Sequence, residues 1–236
     1  MDLPISNRRD NREFLLARFV GRFLDLAPGS ALDVGCGSGD LIHRAAGQGV
    51  EVAGLDAEGP RLEELASRGF DVRAGRAEEL PFDDDAFDWV TMRHVPHHLE
   101  DPGRAVAEAV RVARVGVFMA EPWYDRTLPS QEVGWRLDQW SRAVDRSLGE
   151  IHGTGFGTME LGALLTAAES TIQLELETHL RPALESLDDL KASFRERCER
   201  LPEGDPLVAS LGPLLEAAER TGAGLGGSAF ALGRLT

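Results

Sequence analysis

Ala31-Leu32-Asp33-Val34-Gly35-Cys36-Gly37-Ser38-Gly39-Asp40 is the stretch that decides how this chain folds. A short apolar run carrying one acid leads into glycines at alternate positions, and a helical pattern opens at Asp40. Strand, tight turn and helix N-terminus follow one another here without a wasted residue. Glycine accepts the backbone angles such a turn needs, and its missing Cβ lets a ligand lie against the main chain. The first turn of the helix adds N–H groups that have no intrahelical partner.

Reading outward, the same rhythm repeats. Asp40–Ala46 is expected as a helix that stops at Gly47-Gln48-Gly49, followed by a strand over Val50–Leu55 that ends in Asp56. Pro60 suits a first helical turn, so Pro60–Ser67 reads as the next helix. Phe70–Arg73 and Phe87–Met92 read as strands, Gly103–Ala113 as a helix and Val115–Ala120 as a strand. Upstream, Phe14, Leu15, Phe19, Val20, Phe23 and Leu26 fall at helical spacing. Strands alternating with helices at this interval imply β-α-β units with right-handed crossovers. The fold class is therefore expected to be α/β and Rossmann-like, a mostly parallel seven-stranded sheet with helices on both faces.

From Glu121 to about Gly157 the rhythm breaks. This stretch holds Trp123, Tyr124, Trp135 and Trp140, with helical periodicity over Val133–Leu148. It is expected to be a helical lid inserted over the open sheet edge. Beyond it, Thr158–Glu169 reads as a helix, Ile172–Leu180 as a strand, Leu184–Leu201 and Pro206–Arg220 as helices, and Ser228–Leu235 as the last strand. Neither repeats nor low-complexity tracts interrupt the chain. A single domain over 1–236 is expected: an N-terminal helix to 27, a core over 28–121, the lid over 122–157, and C-terminal helices and strands over 158–236.

Composition narrows the partners. The 236 residues carry a formal net charge of −15 with no basic cluster, a field that repels nucleic acid and anionic membrane. No apolar run approaches the roughly 20 residues of a membrane helix. The opening residues lack the apolar core of a secretory signal. Cys36 and Cys198 are too few and too far apart for a disulfide scaffold. A cytoplasmic, reduced protein is the simplest expectation.

Dinucleotide-binding enzymes use G-x-G-x-x-G. Counted from Gly35, the last glycine would fall at position 40, where this chain has Asp40, an acid that would face a pyrophosphate. The spacing instead resembles motif I of the class I S-adenosylmethionine-dependent methyltransferases, an acid followed by G-x-G-x-G. Glu79-Leu80-Pro81-Phe82 and Phe87-Asp88-Trp89-Val90 extend the likeness to the small-molecule subfamily related to ubiquinone and menaquinone methyltransferases, over roughly residues 28–121.

That resemblance implies S-adenosyl-L-methionine as cofactor, with S-adenosyl-L-homocysteine as its product. Gly35, Cys36, Gly37 and Gly39 would let the backbone approach the methionine part, and Asp33 would help hold its ammonium group. Asp56, with Ala57 beside it, would accept both ribose hydroxyls. At the adenine the family usually has an acid followed by Ala. Here the pair is Arg76-Ala77, so Glu78 or the Ala77 backbone must serve. Arg93 would meet the ammonium through its backbone, and His94 would lie near the methyl group.

Met92-Arg93-His94-Val95-Pro96-His97-His98-Leu99 is rich in imidazole. No acid or thiolate at ligand spacing accompanies it, so no metal is expected. A general base is the better reading, because histidine titrates near neutrality and a hydroxyl or amine acceptor must lose a proton. His94 and His97 are the candidates, and Glu121 and Tyr124 are candidates to line the acceptor pocket. The expected activity is methyl transfer to O, N or C of a small molecule. Alternatives left open are a protein or RNA methyltransferase, a cofactor-binding protein that no longer methylates, and an NAD(P)-binding enzyme.

Overall fold

A computed structural model describes residues 3–236; Met1 and Asp2, with which the single-domain reading begins, lie outside the described residues. The elements in chain order are β1 (Ile5–Ser6), α1 (Arg8–Asp25), β2 (Ala31–Val34), α2 (Asp40–Ala46), β3 (Val52–Asp56), α3 (Pro60–Ser67), β4 (Val72–Ala74) and β5 (Phe87–Arg93). Then come α4 (Pro102–Val112), β6 (Ala113–Trp123), α5 (Pro129–Ser147), α6 (Thr158–Ala168), β7 (Gln173–His179), β8 (Leu184–Glu185), α7 (Leu187–Glu199), α8 (Pro206–Thr221) and β9 (Gly227–Arg234).

Seven strands form one sheet in the order β4-β3-β2-β5-β6-β9-β7. The pairs β4–β3, β3–β2, β2–β5 and β5–β6 are parallel. The chain steps outward from β2 to β3 and β4, then returns to lay β5 on the other side of β2. This reversal is a topological switch point, and ligands of such sheets bind outside the strand C-termini there. The glycine turn leaves β2 at that point. The architecture is the α/β, Rossmann-like class that the strand–helix rhythm implied.

By its contacts the chain forms two compact units. One comprises Ala17–Glu121, Gly155–Thr178 and Ala229–Thr236. Its sheet is held by a core in which Phe19 stacks on Phe118 with ring centroids 4.5 Å apart, while Phe230 meets Phe118 edge-on at 5.4 Å. All three rings are essentially fully buried. Such aromatic pairs add stabilisation beyond the apolar area they remove from water.

The other unit comprises the chain through Leu16 together with Pro122–Thr154 and His179–Ser228. Val133, Leu137, Trp140 and Val144 on α5 share a core with Leu190 and Phe194 on α7 and Leu211 and Ala218 on α8. Trp140 packs on Phe194, and its indole N–H donates to the Leu207 carbonyl at 2.9 Å. The indole is thus buried without leaving its one polar atom unsatisfied.

Several boundaries differ from expectation. The third strand of the predicted series is β4, shifted to Val72–Ala74, and β6 begins directly at Ala113 with a register shift opposite Phe87–Trp89. Leu184-Glu185, expected as helix, is a strand paired in parallel with β1. The reason is tertiary: Leu184 N–H donates to the Pro4 carbonyl and Glu185 N–H to Ala223, so the backbone finds partners outside its own segment. Ser186 then caps α7, its hydroxyl accepting from Asp189 N–H.

Candidate active site

The glycine turn is bonded to the strand beside it. The N–H groups of Gly35 and Cys36 both donate to the Leu55 carbonyl, at 2.7 and 3.1 Å. Gly35, Gly37 and Gly39 have φ of +70°, +55° and +76°, the left-handed region that glycine enters without strain. A Cβ on Gly35 would also come within 2.3 Å of Val95 Cγ2. Around Gly37 the space is open: a Cβ there would meet nothing within 4 Å. The Cys36 side chain turns into the core, and burial pushes its thiol up to about 12.

Carboxylates surround this turn. Asp56, at the end of β3, accepts the Gly37 N–H on Oδ2 at 2.6 Å and the Ala57 N–H on Oδ1 at 2.8 Å. Each oxygen keeps a second lone pair for another donor. Asp33 is buried in β2 and accepts the Thr91 hydroxyl at 2.8 Å. Burial lifts its carboxyl from 3.8 to about 6; Thr91 and Arg93 pull the other way, and the charges of Asp56 and Asp40 add to the rise. Asp40, opening α2, receives the guanidinium of Arg93 at 3.2 Å. Register explains that pairing: Val34 lies opposite Met92, so Arg93 emerges beside the glycine turn.

The loop over residues 75–82 is clamped by a carboxylate that the sequence reading did not single out. Glu108 on α4 accepts the Leu80 N–H at 2.8 Å and holds Arg111 through both oxygens. Arg111 in turn donates to the carbonyls of Leu80 and Phe82. Its hydrogen bonds hold the Glu108 carboxyl below the usual carboxylate range. Ala77 and Glu78 are buried, and Arg104 donates to the Glu78 carbonyl. Arg76 is exposed and pairs loosely with Glu78 at 3.6 Å.

After β5, His94 adopts φ +59°, an uncommon angle for a side chain of its size, and its N–H donates to Ala120. A 3-10 turn over Pro96–His98 follows. His97 is buried, and its Nδ1 lies 2.5 Å from Glu121 Oε2 at the end of β6. The rings of His94 and His97 are 6.4 Å apart, and His97 lies against His98 at 4.1 Å. The Glu121–His97 bond was invisible to spacing, because it depends on β6 lying beside β5.

Tyr124 belongs to the helical unit. A Cβ on Gly226 would crowd its ring at 2.8 Å, so that glycine makes room for it, while a Cβ on Gly134 would first meet the Gly224 carbonyl at 2.2 Å. Burial, with a smaller contribution from Asp138, raises its hydroxyl further above neutrality. The opposite, N-terminal sheet edge carries a cavity of about 580 Å³ lined by Ala31, Val52, Phe70 and Phe87, and none of the candidate residues borders it. Among the described residues, no helix is long and apolar enough to cross a membrane.

A glycine turn at the switch point of a mostly parallel sheet, flanked by Asp33, Asp40 and Asp56 with Arg93 paired to Asp40, defines a nucleoside-cofactor protein of the Rossmann-like class. Comparison with known proteins makes this specific. A family model described as a methyltransferase domain matches residues 32–120. An uncharacterized methyltransferase of Mycobacterium tuberculosis is 32% identical over 184 residues, covering 76% of this chain and 69% of that one. YcgJ of Bacillus subtilis, an uncharacterized methyltransferase, is 32% identical over 177 residues, covering 70% and 68%. Its crystal structure superposes with a TM-score of 0.62 at 20% identity over 92% of this chain and 97% of that one. A Thermotoga maritima structure, described as an S-adenosylmethionine-dependent methyltransferase and possible histamine N-methyltransferase, gives 0.54 at 19% over 97% and 95%. The chain belongs to the class I S-adenosylmethionine-dependent methyltransferases and is an enzyme of that family.

Proposed function

We propose that this enzyme methylates a small-molecule acceptor at O, N or C, holding S-adenosylmethionine at the switch point of its sheet. The observation that carries the cofactor placement is Asp56: its two oxygens hold the Gly37 and Ala57 N–H groups directly beside the open space at Gly37. The donor set suits this cofactor. With Asp40 paired to Arg93, Asp33 and Asp56 are the carboxylates that favour a sulfonium and an ammonium, and a carboxylate matches a ribose diol.

In this reading Gly35, Cys36, Gly37 and Gly39 present backbone to the methionine part. Asp33 and the Arg93 backbone face its ammonium, Asp56 with Ala57 takes the ribose, and Ala77 with Glu78 takes the adenine. A cofactor bound there would supply an electrophilic methyl carbon on a sulfonium whose leaving group is a neutral thioether. The protein's part is alignment, exclusion of water and proton transfer. His97 or His94 takes the acceptor's proton. Burial keeps the Tyr124 phenol protonated, which suits it to donate rather than to act as a base. Acceptor selection is assigned to residues 122–157, a reading their aromatic content supports. The net charge of −15 supports a small acceptor over nucleic acid. Two free thiols, Cys36 and Cys198, support a reducing, cytoplasmic setting.

Calorimetry with S-adenosylhomocysteine tests the site. The expected result is binding by the intact chain and a loss of about tenfold to a hundredfold in Asp56→Ala, the scale of hydrogen bonds to a charged group. Undiminished binding by the variant overturns the placement.

A further inference from the structure

We propose that Thr91 is a positioning residue of the cofactor site: its hydroxyl holds one oxygen of Asp33 and leaves the other for the cofactor's ammonium group. Cofactor uptake in mildly acidic solution then releases a proton from Asp33. This rests on the cofactor placement above and goes beyond it, to what holds the carboxylate and to the proton it exchanges.

Asp33 and Thr91 lie directly opposite one another on the parallel strands β2 and β5. Residues in register on adjacent strands project to the same face of a sheet, so the two side chains meet. Both are buried, Thr91 completely. The Thr91 hydroxyl donates to Asp33 Oδ1 at 2.8 Å, and the Leu32 carbonyl, at 3.4 Å, is its more distant acceptor. On the other side of β2 the residue opposite Asp33 is Gly54, which has no side chain to donate. Space there is already taken, since a Cβ on Gly54 would come within 2.8 Å of Cys36 Sγ. Among the described residues, Thr91 is therefore the donor to Asp33, and Oδ2 accepts from none. A buried carboxylate oxygen without a donor is unfavourable, and a ligand N–H satisfies it.

Burial lifts the Asp33 carboxyl to about 6. The Thr91 hydrogen bond works against that rise, as does the charge of Arg93, two residues further along β5. Asp56 at the end of β3 and Asp40 at the start of α2 add to it. In the turn itself, the Cys36 thiol is pushed up to about 12 by its own burial and stays protonated throughout. Below about pH 6 the free protein thus holds a proton on Asp33. An ammonium beside the carboxylate favours the ionised form, so the O–H bond breaks and the proton passes to water as the cofactor seats. Without the Thr91 hydroxyl the ionised form loses its hydrogen bond while the burial remains, and the carboxyl moves further up.

The test uses the full chain and S-adenosylhomocysteine, which keeps the ammonium group and has no methyl to transfer. Carboxyl ¹³C signals of aspartate-labelled protein report Asp33, assigned through Asp33→Asn. In free wild type the signal is expected to titrate at about 6. It should titrate about one pH unit higher in Thr91→Val and return to the wild-type value in Thr91→Ser, which restores the hydroxyl. Ligand-saturated wild type should titrate about one pH unit or more below the free protein. By calorimetry, affinity should fall about tenfold from about pH 7.5 to about pH 5 in wild type, and nearer a hundredfold in Thr91→Val. At about pH 5.5, binding heats in buffers of different ionisation enthalpy should show most of one proton released by wild type.

An Asp33 titration that is the same in Thr91→Val as in wild type, or that Thr91→Ser does not restore, overturns the role of Thr91, whatever the loss of affinity. A titration unmoved by ligand, or binding that releases no proton, overturns the coupling. Failure of wild type to bind S-adenosylhomocysteine would instead defeat the cofactor placement, and the free-protein titrations would still decide whether Thr91 holds Asp33.

Discussion

Asp33→Asn removes a charge from the base of the proposed cofactor site, and its effect on stability is calculable. Burial raises the Asp33 carboxyl from 3.8 to about 6. A raised folded-state value means that the protonated form is favoured in the fold. The resulting stabilisation is fully present below the unfolded value and is lost as pH rises through about 6. Well above both values, ionised Asp33 costs the free protein about 3 kcal/mol relative to its protonated form. Integrated between about pH 4.5 and about pH 7.5, the loss comes to about 2 kcal/mol.

Asparagine keeps the oxygen that accepts from Thr91, and its buried amide N–H groups bring a pH-independent cost of about 1–3 kcal/mol if unpaired. The difference in unfolding free energy between variant and wild type therefore shifts in favour of the variant by about 2 kcal/mol over that pH interval, whatever the constant offset. Urea titrations at the two pH values measure it directly. A flat difference, or a shift toward wild type, would refute the assignment of the raised value to buried Asp33. An ammonium group beside the carboxylate should reverse the preference, so S-adenosylhomocysteine, through its ammonium, should stabilise wild type more than Asp33→Asn at neutral pH.

Other consequences follow from single sites. Gly35→Ala forces a left-handed angle on alanine and drives its Cβ into Val95, so denaturant titration should show a loss of about 2–4 kcal/mol. Phe194→Ala empties a fully buried position against Trp140, and a loss of about 3–5 kcal/mol is expected, accompanied by a change in tryptophan emission. Glu108→Gln deprives Arg111 of its paired carboxylate and should cost about 1–3 kcal/mol near neutrality. Because the Glu108 carboxyl is held below its ordinary value, wild type and variant should converge as pH falls through the acid range.

Local chemistry explains what could be read without coordinates. The α2 and α3 boundaries at Asp40–Ala46 and Pro60–Ser67 match expectation residue for residue, because each is marked by glycine, proline or an apolar period within its own few residues. Leu184-Glu185 misled for the complementary reason: its helical look is local, while its strand partners, Pro4 and β1, lie at the other end of the chain. The loop over residues 75–82 shows both sides. Glu79-Leu80-Pro81-Phe82 was recognisable as a motif, yet the clamp that holds it comes from Glu108 and Arg111 on α4.

The sequence alone determined that a strand ends in a tight glycine turn, that Asp33 and Asp40 flank it in the chain, and that β-α-β units surround it. These depend on backbone preference and short-range periodicity, which each segment carries in itself. Only the tertiary structure decided that Thr91 supports Asp33, that Arg93 reaches Asp40, and that Glu121 grips His97. Each of those pairs joins neighbouring strands, or a strand and a helix or turn, from separate parts of the chain. Strand order sets which elements are neighbours, and register sets which side chains meet, since a slip of one residue turns every side chain to the opposite face.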